Sequence, residues 1–229
     1  MDKNLRRVHM GCGLTYLEGW INCDGSPSLR LSRLPKPLKA LLKASGIISG
    51  DVARFLDFLE THPVRYVNAL KPWPFPRESV DVIYTSHVID CFSAAQKHHF
   101  FRECFRVLRP GGVIRMVGID LAQEVQLYCQ DHDAAKLVSI VSYPNPNDTA
   151  IWRRLKDAIW PPKYYLAHLD FPAYNHLLRS IGFHNIVCLP PGETTIKTIE
   201  PVNLYQRRGE SMYVEAYKPG EPTAHDPRD

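Results

Sequence analysis

Gly11-Cys12-Gly13 follows the short apolar run Val8-His9-Met10, and an acid, Asp24, stands eleven residues beyond Gly13. Glycines at the end of a strand let the backbone approach a ligand closely. An acid closing the next strand can accept both hydroxyls of a ribose. The spacing is short for a nicotinamide-dinucleotide fold, where a longer helix intervenes, and the third glycine of G-x-G-x-x-G is missing. A glycine pair alone would also suit any tight strand–helix turn.

The second set of candidates is Ser86-His87-Val88-Ile89-Asp90, after the run Val80-Asp81-Val82-Ile83-Tyr84-Thr85. An unperturbed imidazole titrates near neutrality, so His87 is a candidate base for a group that must lose a proton. Asp90 lies one helical step further on and would orient His87 if this stretch is helical. His87 packing against a ligand and moving no proton is the alternative, and both stay open. Asp120 follows a buried strand at its carboxyl end, where open α/β sheets bind ligands. It is an acid/base or substrate-binding candidate, or else the cap of the helix that follows.

Strands are expected at 8–10, 20–24, 66–69, 80–85, 113–119, 186–189 and 211–217. Ser93 caps a predicted helix to about Leu108, with Phe100, Phe101, Cys104, Phe105 and Leu108 on its apolar face. Arg109-Pro110-Gly111-Gly112 reads as a turn. Residues 28–62 alternate Arg30, Arg33, Lys36, Lys39 and Lys43 with leucines, which predicts an amphipathic basic helix and a second helix over 52–59. Its simplest role is a lid over a ligand with its polar face in solvent; contact with a membrane surface or an anionic substrate is the other reading. Further helices are expected at 121–129, after Thr149, and from Asp170 to Gly182, with a loop over 143–147. Trp152, Trp160, Tyr164, Tyr165, His168 and Phe171 either wall a pocket or pack in the core. The alternation predicts an α/β fold with a doubly wound, mostly parallel seven-stranded sheet and an antiparallel strand near the C-terminus.

The candidates fall in an order that resembles class I S-adenosylmethionine (SAM)-dependent methyltransferases, particularly the type-11-like group. Gly11-Cys12-Gly13 with Gly19-Trp20-Ile21-Asn22-Cys23-Asp24 is similar to that group's opening "G-C-G-x-x-x-x-x-G-W-x-N-x-D". Residues 72–90 resemble its "LPF…S-F-D-x-I-Y-S-S-H-x-L-E-H" segment, and residues 103–112 its "E-x-x-R-V-L-K-P-G-G". Residues 115–121 with Tyr128 resemble "R-I-V-x-P-D-L…Y", and residues 210–217 "E-S-L-Y-V-E-A". Two positions depart: His9 stands where many class I enzymes carry an acid, and Gly118 where a proline precedes the aspartate.

The resemblance implies a Rossmann-like domain over residues 1–218, with 28–62 as a helical insertion and 219–229 as a disordered tail. It implies SAM as cofactor, met by His9, Met10, Gly11, Cys12 and Gly13 at the methionine end and by Asp24 and Gly25 at the ribose. Asn68, Ala69 and Leu70 would flank the adenine, and Ser86 and His87 the sulfonium. The implied reaction is methyl transfer to a small molecule, with O-methylation of a saccharide or secondary metabolite favoured. N- or C-methylation, or a catalytically silent SAM-binding subunit, is the alternative.

Composition narrows the classes. The 229 residues are 45% hydrophobic and 23% charged, which suits one globular domain. A net charge of +4 does not call for nucleic acid. None of the six cysteines forms a C-x-x-C pair or a zinc-spaced set with histidine, so no metal is expected. No apolar run could span a bilayer, and a cytoplasmic chain without stable membrane insertion is expected; homo-oligomerisation stays open.

Overall fold

The computed structural model describes residues 5–141 and 168–220. The expected loop at 143–147, the helix after Thr149, the aromatic residues Trp152, Trp160, Tyr164 and Tyr165, and most of the expected tail lie outside the described residues.

Seven strands form one sheet: β1 (Arg7–Met10), β2 (Ile21–Asp24), β3 (Arg65–Tyr66), β4 (Val80–Ser86), β5 (Leu108–Ile119), β6 (His184–Leu189) and β7 (Ser211–Tyr217). Their order is β3-β2-β1-β4-β5-β7-β6. The β1–β2, β1–β4, β2–β3 and β4–β5 pairs are parallel, while β7 runs antiparallel to both β5 and β6. This is the mostly parallel seven-stranded sheet that the sequence predicts. The chain reverses its direction of travel between β1 and β4, and the carboxyl ends at such a switch point form a ligand crevice.

The helices are α1 (Ser28–Leu31), α2 (Lys36–Ala44), α3 (Gly50–Thr61), α4 (Ala94–Val107), α5 (Leu121–Asp131), α6 (Ala134–Val141) and α7 (Phe171–Ile181). Helix α6 has no counterpart among the helices expected from sequence. Ser93 and Gln96 close a capping box on α4 by exchanging side-chain and backbone hydrogen bonds. Phe100, Phe101, Cys104 and Val107 of α4, with Tyr174 and Leu178 of α7, cover one face of the sheet. That face presents Val8, Met10, Ile83, Ile114, Met116 and Val214.

The other face is closed differently. Its buried cluster takes Val82, Tyr84, Val113, Val117 and Tyr213 from the strands, and Leu17, Trp20, Ile196, Ile199 and Val202 from loops. Among the described residues no helix residue belongs to it. Ten residues join β1 to β2 without a helix, which accounts for the short step from Gly13 to Asp24. Within this face Arg115 and Glu215, both fully buried, pair at 2.5 Å. Glu215 also accepts from Thr194 and Thr195, and Arg115 donates to the Glu193 carbonyl, so the pair pins the covering loop.

Three local expectations are refined. Residues 109–112 do turn, but within the bounds of β5: Val80 pairs with Leu108 and Val82 with Val113, so the four residues bulge from the ladder, where Gly111 N–H donates to Lys218 O and Lys218 N–H to Gly112 O. The third strand is only two residues long, Arg65–Tyr66, and the side chain of Asn68 closes a turn onto Leu70 just beyond it. Finally, α2 leaves Lys36 in solvent but turns its other two lysines away from it. Lys39 and Lys43 turn inward to Glu60 and Asp57 of α3, and Lys39 is 9% exposed. Leu38, Leu41 and nearby Ile47 are left outside, Leu41 being 64% exposed. The carboxylates of α3 select which side of α2 faces in.

Candidate functional site

Four loops meet at the carboxyl ends of β1, β2, β3 and β4. After β1, the N–H groups of Gly11 and Cys12 both donate to the Cys23 carbonyl on β2. Gly11 has φ +73, and a Cβ there would overlap Cγ2 of Val88 in the loop after β4. Gly13 has φ +51 and nothing within 4 Å of the place a Cβ would take. Gly11 thus locks two loops together, and Gly13 borders open space.

Asp24 ends β2 with 4% exposure. Its Oδ2 accepts from Gly13 N at 3.0 Å and its Oδ1 from Ser26 N at 2.7 Å. Each carboxylate oxygen can accept twice, so each keeps capacity for one more donor. The peptide after it lies against β3's outgoing chain: Val67 N–H donates to Asp24 O, and a Cβ on Gly25 would stand 3.1 Å from Val67 O. Asn68 turns its Oδ1 back onto Leu70 N at 2.8 Å, and this Asx-type turn shapes residues 68–70 beside the acid.

The run Pro72-Trp73-Pro74-Phe75 that leads back to β4 is fixed by α4. Glu103 accepts from Trp73 N at 2.6 Å, and Arg106 donates to the carbonyls of Trp73 and Phe75 while paired to Glu103. Sequence reading assigned no role to Glu103 and Arg106; their three-residue spacing on a helix was the available signal.

Past β4, His87 adopts φ +52, a conformation costing a non-glycine residue about 1 kcal/mol. Its N–H donates to Val117 O of β5, and its ring sits between Asp90 and Ser211. Nδ1 is 3.2 Å from Oδ2 of the fully buried Asp90, an ion-pair separation whose N–H direction misses hydrogen-bond alignment. Nε2 lies 3.0 Å from Ser211 Oγ. The expected proximity of Asp90 to His87 is therefore present, on a single 3₁₀ turn (Ile89–Cys91). Gly118 is explained by the same group: a Cβ there would stand 3.0 Å from Asp90 Oδ1. The Oγ of Ser86 is buried and lies beside the Tyr84 hydroxyl.

Other expected site residues are placed elsewhere. Met10 is wholly buried in the core and can offer only backbone to a ligand. His9 faces the loop-covered side of the sheet, where Nδ1 meets Asn22 Oδ1 at 3.1 Å and the ring tilts on Tyr84. Burial lowers the His9 pKa to about 4, so the ring is neutral and donates from Nδ1. Asp120 is half-buried and caps α5, accepting from Ala122 and Gln123 N–H. Among the described residues no group of three or more His, Cys, Asp or Glu is placed to hold a metal ion. No described helix is long and apolar enough to cross a membrane.

Residues 48–116 match the family model for a methyltransferase domain. The match runs from just before α3 into β5 and leaves the glycine loop and Asp24 upstream. A search of the curated proteins finds no match. Solved structures similar to this chain include a SAM-dependent methyltransferase from Methanosarcina mazei (15% identity, 96% of this chain and 95% of that one, TM-score 0.48). Another is a SAM-dependent methyltransferase from Archaeoglobus fulgidus (14% identity, 94% and 87%, TM-score 0.45). A third is phosphoethanolamine N-methyltransferase 2 of Haemonchus contortus in complex with SAM (14% identity, 96% and 50%, TM-score 0.47). The family match covers residues 48–116, under a third of the chain, and the segment it marks carries β3, β4 and α4, which border the site at the sheet's switch point.

Proposed function

We propose that this chain is a class I SAM-dependent methyltransferase of the type-11-like group, and that it methylates a hydroxyl of a small molecule, a saccharide or a secondary metabolite. One observation carries the cofactor assignment: the open space over Gly13 lies directly beside the buried carboxylate of Asp24, which is hydrogen-bonded to that same glycine. A polar, partly organised cradle of this kind suits an adenosyl group better than a bare phosphate, which a carboxylate would repel. Asp24 would accept the ribose hydroxyls. Residues 68–70 would border the adenine, and residues 11–13 the methionine portion. Ser86, at the end of β4, would border the sulfonium end.

When bound, SAM supplies the electrophilic methyl group. The protein's own task is to align the acceptor, exclude water and receive the proton that a hydroxyl releases. His87, beside Asp90, supports a hydroxyl acceptor over a carbon one. N- and C-methylation, and a silent SAM-binding subunit, are the competing outcomes.

The test is calorimetry with SAM and S-adenosylhomocysteine on wild type and Asp24→Ala, followed by methyl-labelled SAM with a panel of hydroxylated acceptors. A hydrogen bond to a charged group contributes about 1.5–3 kcal/mol, so losing the Asp24 contacts should weaken binding at least tenfold. Unchanged affinity in Asp24→Ala would defeat the ribose assignment. Label recovered only on nitrogen or carbon would defeat the hydroxyl reading.

A further inference from the structure

We infer that Ser211, the first residue of β7, is the catalytic group that meets the acceptor hydroxyl, and that His87 and Asp90 are positioning residues that act through it. The inference rests on the hydroxyl-acceptor reading above and goes beyond it, since it transfers the acceptor contact from the imidazole to a serine on another strand.

Ser211 pairs with Ile119 across the β5–β7 ladder, at the carboxyl end of β5. It therefore stands at the same edge of the sheet as the loops after β1, β2 and β4. It is 124 residues from His87 in sequence, yet its Oγ is 3.0 Å from His87 Nε2. Both imidazole nitrogens are thus engaged, Nε2 by Ser211 and Nδ1 by the charge of Asp90. An acceptor can reach the imidazole only by displacing Ser211 or by working through it.

The carboxylate biases the direction of the protons. A negative charge 3.2 Å from Nδ1 favours the tautomer that carries its proton on Nδ1. Nε2 is then an acceptor, and the Ser211 hydroxyl must donate to it. The lone pairs of Ser211 Oγ are left to accept a hydrogen bond from an incoming hydroxyl. In the transfer step the acceptor oxygen forms a bond to the methyl carbon while the carbon–sulfur bond breaks, its electron pair staying on sulfur. The acceptor's proton moves to Ser211 Oγ as the serine's own proton moves to His87 Nε2. The resulting imidazolium sits beside Asp90, and the proton leaves to solvent after product release.

The surroundings support a maintained chain rather than a chance contact. His87 holds a left-handed backbone conformation that places its ring between the two partners, and strained residues persist where neighbouring structure enforces them. Asp90 is fully buried, with the Ile119 N–H 3.4 Å from its oxygens. Lys97 lies behind it, anchored to Ile89 O and Tyr174 Oη. Position 118 has no side chain to crowd the carboxylate.

The experiment has two arms. In the first, imidazole 15N spectra of the full chain, without acceptor, report the His87 tautomer. A proton on Nδ1, with the Nε2 signal shifting in Ser211→Ala, is the expected result. A proton on Nε2 in the wild type overturns the relay, because that nitrogen could not take the serine's proton. In the second arm, a hydroxyl acceptor is turned over with labelled SAM. Ser211→Ala should lower kcat about 100-fold, within the range for general-base catalysis, with SAM affinity unchanged within twofold. Ser211→Thr, which keeps the hydroxyl, should recover most of the rate. Full turnover by Ser211→Ala sinks the relay while hydroxyl methylation stands. Wild type that methylates only nitrogen or carbon sinks the hydroxyl reading and the proton transfer with it.

Discussion

Two glycines two residues apart have opposite surroundings, and alanine at each should therefore fail in a different way. At Gly11 a Cβ would overlap Val88, and the backbone φ is +73. The left-handed conformation costs about 1 kcal/mol for alanine. Overpacking against Val88 adds about 1–3 kcal/mol, for a total of roughly 2–4 kcal/mol of stability. Val88 directly follows His87, so the strain enters the 86–90 loop as well. At Gly13 nothing lies within 4 Å of the new methyl, and φ is +51. Only the conformational cost of about 1 kcal/mol applies to folding. The methyl instead enters the space assigned to the cofactor, and SAM affinity should fall at least about tenfold, or ~1.4 kcal/mol. Urea unfolding of both variants measures the first quantity, and calorimetry with SAM the second. Gly13→Ala binding SAM as tightly as the wild type would refute the cradle. Equal stabilities for Gly11→Ala and Gly13→Ala would refute the contact with Val88.

Two further outcomes follow from burial. Desolvation lowers the His9 pKa from 6.5 to about 4. Between those values the unfolded chain binds more protons than the folded one, so the stabilisation is complete above pH 6.5 and is lost as pH falls through 4. Its size is about 3 kcal/mol at 1.36 kcal/mol per pH unit, and His9→Gln should flatten the urea-midpoint profile between pH 6.5 and 4; an unaltered slope would assign the acid lability to other groups. The orientation of α2 is tested by Leu41→Ser, which should change stability by no more than about 0.5 kcal/mol, whereas Leu56→Ala in α3, fully buried, should cost about 2–5 kcal/mol. A large loss from Leu41→Ser would mean that the leucine face of α2 is covered.

What could be read from sequence was governed by how far apart the deciding groups lie. Ser93 and Gln96 decide the start of α4 within one turn, and the reading there was correct to the residue. Gly13 and Asp24 are eleven residues apart and joined by one hydrogen bond, so their spacing carried the site. Residues 109–112 turn as Pro-Gly-Gly suggests, but that the turn is a bulge inside β5 depends on hydrogen bonds with Lys218, over a hundred residues on. Periodicity marked the two sides of α2, but the acids that choose between them belong to α3.

His87 illustrates the same rule within the site. Its partner Asp90 is three residues away and was foreseen from that spacing; its partner Ser211 depends on the β5–β7 register, which no local pattern encodes. The antiparallel insertion of β7 next to β5 is what brings a serine to the carboxyl edge of an otherwise parallel sheet. A parallel strand at that position would present its carboxyl end there instead, so the residue opposite Ile119 would come from the far end of the strand. Strand direction, more than any single motif, thus determines which side chain reaches the imidazole. A one-residue slip of β7 would turn Ser211 to the opposite face and bring a neighbour such as Met212 into its place. The Arg115–Glu215 pair, set four residues along β7 from Ser211 and directly paired across the ladder, opposes that slip because any shift would strand two buried charges. A structural ion pair on the loop-covered face therefore helps to hold the register on which the His87–Ser211 contact depends.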